Sequence, residues 1–468
     1  MDLINRSKKT EKSAYYEDGE VIDKIKHKPG ELPKKQFAPR NSVLTDLWEI
    51  KHIRTIYHIF LAMLFGLFIN TAAYDYLNKG EVRLGFNLII KGFSKFHFLL
   101  IIWKCMFLVN FLVYYGFKLW ATIRIQVKPK TKYQLFWDRS WIVLIITYYL
   151  GFIYFFTSTI IKMEMPPAAS ITLLSEITRF LMKSHAFIRS NAPIVLKYKS
   201  HNSKGQERYC PKLGQFLYFC FVPTLIYQDS YPRTNRIRWS YVAYCFLEVI
   251  GVIFYLSFLF ERFLVATFED YGLKPYRWQD IILTILSNTA AGMLIMLTTW
   301  YAVLHAWMNG FAEMVRFADR MFYKDWWSST TYDRYYRTWN VVIHDWLYTY
   351  IYKDFIEIVL LNNRIAAKYI VFFLSAAFHE YILGFTFRFC LPILFVQFFG
   401  VGVAMTYLKF KQNCIGNTVL WYTNALGMSM NTAAFAIEYY CRANRPIENV
   451  TISSYFIPQM FQCNEIYN

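Results

Sequence analysis

An imidazole and a carboxyl in the middle of a long apolar run are the side chains best suited to chemistry here. The run is Tyr369–Phe387, YIVFFLSAAFHEYILGFTF, and it contains His379 and Glu380. About 20 apolar residues suffice for a helix to cross a bilayer. Ionisable groups are costly at that depth, so they face a bundle interior or a water-filled cavity. Ser375, four residues before His379, shares its helical face, whereas Glu380 points about 100° away. Two readings of His379 stay open: a proton-transfer group, or a polar tie between helices. A zinc-protease helix is excluded, because Leu383 stands where HExxH needs its second histidine.

A second polar pair is Asn340 and His344, within YYRTWNVVIHDWLYTYIYKDF. A spacing of four places both on one face of a helix. An amide can donate to a developing oxyanion, and an imidazole with a pKa of about 6.5 can move protons near neutrality. Interfacial capping or packing explains each of them equally well. Arg334, Arg337, Lys353 and Arg364 make the surroundings cationic. That suits a polyphosphate ligand or anionic lipid headgroups. The tryptophans and tyrosines of the stretch read most simply as an interfacial belt.

These residues need elements to hold them, and the composition says which. Of 468 residues, 56% are hydrophobic and 20% aromatic, with a net charge of +19. The apolar residues gather into runs of spanning length, which predicts an all-α polytopic membrane protein. About nine transmembrane helices are expected: Ile56–Tyr76, His97–Lys118, Trp141–Ile161, Ala168–Ile188, Tyr241–Leu264, Ile281–His305, Ala366–Phe387, Phe389–Leu408 and Thr418–Tyr439. The fourth is interrupted by Glu176, Arg179, Lys183 and His185, of which Glu176 and Arg179 can pair at i,i+3. Between the sixth and seventh, Phe311–Phe322 has an apolar face and a charged one, predicting an amphipathic helix in the headgroup region.

The basic excess lies between apolar runs rather than on one solvated face, which argues against nucleic acid and for the positive-inside pattern. Residues 1–40 form a basic segment expected to be disordered, 41–440 the multi-span domain, and 441–468 a tail. The Lys- and Arg-rich loops place the amino terminus in the cytosol and, with nine spans, the carboxyl terminus in the lumen. Cys441 and Cys463 flank an Asn449-Val450-Thr451 sequon. An oxidising lumen would permit both a disulfide and a glycan there. A second sequon at Asn5 falls on the cytosolic side. No cleavable signal peptide or lipidation motif is visible, and no CxxC pair points to a metal.

Several stretches together resemble one family. They are HIRTIYHIF at His52–Phe60, PTLIYQDSYPR at Pro223–Arg233, FAEMVRFADRMFYKDWW at Phe311–Trp327, RTWNVVIHDWLY at Arg337–Tyr348, and FHEY at Phe378–Tyr381. The chain resembles the sterol O-acyltransferases, the acyl-CoA:cholesterol acyltransferase branch of the membrane-bound O-acyltransferase (MBOAT) superfamily, over nearly everything after about residue 40. The resemblance implies an MBOAT-type bundle in the endoplasmic reticulum membrane and acyl transfer from fatty acyl-CoA to the 3β-hydroxyl of a sterol. By the same matching, His379 and Asn340 are catalytic, and Arg337, Asn340, His344, Tyr352, Arg364 and Ser375 contact acyl-CoA. His52 falls on the sterol side. No cofactor is implied, since acyl-CoA is a substrate; sterol and membrane lipid complete the partners.

There are departures. Ser328 stands where these enzymes usually carry Asn, and a hydroxyl lacks an amide's double donor. Arg334 stands where relatives carry Asn. The amino-terminal region is shorter than the one vertebrate relatives use to tetramerise, so a homodimer through transmembrane helices is expected and a tetramer is unsupported. The disulfide of Cys441 with Cys463 is implied by resemblance, with Cys441 displaced from the family's position. The nearest alternative is a diacylglycerol O-acyltransferase, whose tryptophan motif carries Glu where Asp325 stands. Asp229–Arg233, DSYPR, favours the sterol branch. A lipid transporter or scaffold is the alternative of another class, but no internal repeat or matching broken helices support it.

Overall fold

A computed structural model describes residues 32–33, 35–127, 131–197, 210–274, 276–359, 363–447 and 452–462. Cys463, Asn449-Val450-Thr451 and Asn5 lie outside those residues. In chain order the long helices are α1 (Lys51–Lys79), α2 (Phe96–Gln126), α3 (Lys132–Lys162), α4 (Pro167–Lys197), α5 (Trp239–Phe268) and α6 (Thr289–Met314). Two short ones follow, α7 (Tyr332–Trp339) and α8 (Val341–Trp346), the latter widening into a π-helical stretch, Leu347–Tyr352. The last are α9 (Arg364–Phe387), α10 (Ile393–Met405) and α11 (Asn413–Asn444). Among the described residues there is no strand, only isolated bridges. Helices keep every backbone hydrogen bond internal, which lipid requires.

Among the described residues, six helices are long and apolar enough to cross a membrane: α1, α2, α3, α5, α6 and α9. The other three expected spans are helical but differ in kind. α10 is short, α11 carries polar residues along its length, and α4 carries charges inward. On α4, Glu176 takes the Trp103 indole N–H at 2.6 Å and the Arg179 guanidinium at 2.6 and 2.7 Å. Arg179 reaches the Cys220 carbonyl at 2.8 Å, and Lys183 reaches those of Phe219 and Val222. These cations satisfy the open carbonyls where the short helix Leu213–Phe221 ends. The polar residues that interrupt the run are therefore its fastening.

Two expectations need correction. The sixth span does not begin at Ile281: Trp278–Ser287 is a separate helix, and the chain turns at Asn288 before α6. Nor do residues 311–322 form an amphipathic helix. α6 ends at Met314, Arg316 takes φ +59, and the chain runs on through bridges of Phe317 with Arg233 and Asp319 with Arg40. The physical reason is Glu313, which is fully buried and receives Arg238 at 2.9 Å together with Arg320 folding back onto it. An unpaired buried carboxylate is far costlier than a broken helix.

α6 packs along α11, and α2 along α4. A Cβ at Gly292 would lie 2.8 Å from the Ser429 backbone nitrogen, so α6 and α11 approach there backbone to backbone. α9 lies against α4, α10 and the Leu347–Tyr352 stretch. Trp326 centres the aromatic core, with ring centroids 4.5 Å from Trp339, 5.2 Å from Trp300 and 5.3 Å from Trp421. The residues ahead of α1 are strapped across this core. Arg40 pairs doubly with Asp319, at 2.7 and 2.9 Å, and Phe37 packs edge-on against Tyr231 and Phe317.

Candidate active site

Phe322, Tyr323 and Trp326 of the FYKDWW segment are essentially inaccessible, so that segment is a scaffold. It grips the chain around Asn340 by two backbone bonds: Lys324 N–H to the Thr338 carbonyl and Val341 N–H to the Phe322 carbonyl, both 2.9 Å. Held there, Asn340 leaves the helical conformation (φ −142, ψ 89) and separates α7 from α8. It is thus the N-cap of α8 rather than a residue one turn inside the helix of His344. Its Oδ1 accepts from Ile343 N–H at 3.1 Å. Its Nδ2 takes no partner among the described residues. The capping role open from sequence is real, and it leaves the amide donor unengaged.

His344 follows on α8 as the first ring of a column. Its ring lies nearly parallel to Tyr348 (6.3 Å, 10°), and Tyr348 to Tyr352 (5.6 Å, 21°). Spacing of four stacks the three on one flank. Asp345 lies beside this column, one oxygen 3.6 Å from His344 Nδ1 and the other 2.6 Å from Lys35 Nζ. Burial alone would raise the Asp345 carboxyl. The Lys35 ammonium, with His344, outweighs that and holds it below the ordinary carboxylate range.

His379 stands about 22 Å along α9 from its first residue, at 1.5 Å per residue. Its Nδ1 lies 2.7 Å from the Ser375 carbonyl, which only accepts, so Nδ1 carries the proton. Nε2 is left with a lone pair and no partner among the described residues. The ring stacks on Phe398 of α10 (4.7 Å, 19°), and its other face is exposed. An exposed face beside an uncommitted nitrogen is reachable by a reactant. Glu380 does not share that place: its Oε2 accepts from Phe395 N–H at 3.2 Å, next to the start of α10.

Tyr336 joins the two halves. Its ring lies 6.3 Å from Phe398, the ring under His379, and 5.1 Å edge-on to Phe372 of α9, while Asn340 follows four residues on. A Cβ at Gly402 would sit 2.6 Å from the Tyr336 hydroxyl, so only glycine lets α10 close on it. Burial pushes that phenol up, keeping it protonated at neutral pH. Tyr336 and Tyr348 were not singled out from sequence. Their only signal was a spacing of four from Asn340 and His344.

The remaining predicted residues spread outward. Ser375 serves His379 through its carbonyl. Arg337 is exposed and paired with Asp333, and Arg364 is exposed at the start of α9. Arg334 is held by Asp325 at 2.9 Å, and the Ser328 hydroxyl donates to the same carboxylate at 2.6 Å. His52 is exposed near the start of α1, and no contact among the described residues ties it to His379. No group of three or more His, Cys, Asp or Glu able to hold a metal occurs among the described residues.

An imidazole with one nitrogen anchored and one free on a membrane-spanning helix, linked through Phe398 and Tyr336 to the short helix that ends at an amide with a free donor, is apt for acyl transfer. The chain belongs to the membrane-bound O-acyltransferase family, which matches residues 88–436. Within it, the chain is 38% identical over 437 residues to mouse (Mus musculus) sterol O-acyltransferase 1, covering 92% of this chain and 80% of the relative. It is 39% identical to the Chlorocebus aethiops sterol O-acyltransferase 1 (92% and 78% covered) and 35% identical to human sterol O-acyltransferase 2 (92% and 81%).

Proposed function

We propose that this protein transfers a fatty acyl group from acyl-CoA to the 3β-hydroxyl of cholesterol or another sterol, forming steryl esters. Kinship with sterol O-acyltransferases supports the class, and the observation that carries the chemistry is His379, with Nδ1–H on a carbonyl and Nε2 free. Nε2 takes the sterol hydroxyl's proton as its oxygen attacks the thioester carbon, a contribution of roughly 10²–10⁴-fold. Asn340 Nδ2 donates to the oxyanion that forms. As the C–S bond breaks, the coenzyme A sulfur takes the proton back from the imidazolium. Keeping water away protects the thioester from hydrolysis.

His344, Tyr352 and the Ser375 turn line the acyl-CoA side in this reading. Arg337 and Arg364 meet its phosphates, Arg337 exchanging Asp333 for them. His52 belongs to the sterol entrance. The protein resides in the endoplasmic reticulum membrane with its amino terminus cytosolic and its carboxyl terminus luminal, as a homodimer. The test supplies labelled acyl-CoA to the purified protein in lipid, with cholesterol, diacylglycerol or no acceptor. Steryl ester is the expected product. Triacylglycerol in its place would reassign the acceptor, and no transfer to either would turn the reading towards a transporter.

A further inference from the structure

The strap ahead of α1 reaches the candidate site at one point. Lys35 Nζ lies 2.6 Å from Asp345 Oδ2, and the pair is mostly covered, with 19% and 15% of the two side chains exposed. The other oxygen of Asp345 faces His344 Nδ1 at 3.6 Å. That is too long for a hydrogen bond and short enough for the carboxylate to act electrostatically on the ring. We propose that Lys35 is a positioning residue for His344: by holding one oxygen of Asp345 it fixes where the other stands against the imidazole. The proposal rests on the assignment of His344 to the acyl-CoA side of the site.

The surroundings support an aimed contact rather than a chance surface pair. The Lys35 carbonyl accepts from Gln228 Nε2 at 2.6 Å, and its ammonium lies 5.0 Å from the Phe37 ring. Phe37 is wedged against Tyr231 and Phe317, and Arg40 is locked to Asp319. Ser42 closes the strap, its hydroxyl accepting from Asn309 Nδ2 at 3.1 Å. The strap therefore keeps its place without the ammonium. What the ammonium adds is local: charge balance and orientation for a covered carboxylate that, among the described residues, otherwise has only the ring to turn to. His344 itself is anchored by no other polar side chain among the described residues, so its orientation depends on Asp345 and on Tyr348 behind it.

The test measures kcat and KM for acyl-CoA in Lys35→Met, Lys35→Arg, Asp345→Asn, the Lys35→Met/Asp345→Asn double variant and His344→Ala, alongside thermal stability. Lys35→Met should raise the KM for acyl-CoA roughly tenfold with kcat changed less, and Lys35→Arg should reverse most of that rise. The double variant should be no more impaired than Asp345→Asn alone, because the two act through one interaction. Wild-type kinetics in Lys35→Met, additive losses in the double variant, or a loss that tracks melting temperature would each overturn the proposal. The underlying reading fails separately: a fully active His344→Ala removes His344 from the site. An impaired His344→Ala with a normal Lys35→Met removes only the role of Lys35.

Discussion

Two of the imidazoles on membrane-crossing helices of this chain, those of His305 and His379, have surroundings that differ in one respect. His305, on α6, is 3% exposed. Its Nδ1 shares a hydrogen bond with the Tyr323 hydroxyl at 2.6 Å and lies 3.4 Å from both Ser42 Oγ and Asn309 Nδ2. Trp48 meets the ring edge-on at 4.9 Å, and Tyr301 stacks on it at 5.2 Å. His379, on α9, has one backbone carbonyl, one stacked phenyl and an accessible flank. A buried polar group that ties elements together is engaged from several sides. A group that must exchange a proton keeps one atom uncommitted and reachable. Helix and residue type do not distinguish the two; partners do.

The largest expected effect breaks the open side of the comparison. His379→Ala should lose roughly 10²–10⁴-fold in turnover, the range of a general base, while its melting temperature stays near wild type because the ring bridges no elements through hydrogen bonds. Retained esterification in a folded His379→Ala protein would remove the imidazole from the mechanism.

Asn340 sharpens the same side, since it too has one atom engaged and one free. Asn340→Ala removes both functions and should cost about 1 kcal/mol of stability through the lost cap in addition to activity. Asn340→Asp keeps an N-cap oxygen for Ile343 N–H and removes only the donor. Turnover should fall roughly 10²-fold, as when one oxyanion-hole donor is lost, with stability close to wild type. An active Asn340→Asp would leave the residue as a cap and nothing more.

The contrast also explains what could be read beforehand. Spans are legible because lipid demands uninterrupted apolar helices, and His379 is conspicuous because its charge would be costly there. The geometry of Asn340 is not legible. It depends on backbone bonds from Phe322 and Lys324, which no local periodicity records. Residues 311–322 misled for a related reason: the pattern is amphipathic, yet Glu313 is claimed by Arg238 from a distant loop. The same holds for His305, whose partner Ser42 lies 263 residues back along the chain and whose partner Tyr323 lies 18 residues on. Long-range polar pairing is the information that one sequence does not display.

The smallest effect on turnover is expected at His305, and it tests the closed side. His305→Ala takes one hydrogen-bond partner from the Tyr323 hydroxyl, whose side chain is fully buried, and opens a void under Trp48. Losing one such hydrogen bond costs about 0.5–1.5 kcal/mol and the void adds to it, so melting temperature and yield should drop while the folded fraction keeps turnover within a few-fold. His305→Gln, which can still offer a polar atom to Tyr323, should recover part of the stability. A His305→Ala protein that melts normally but does not turn over would show that enclosure and chemistry coexist at this ring. The distinction between the two histidines would then lie in their distance from the thioester rather than in their free atoms.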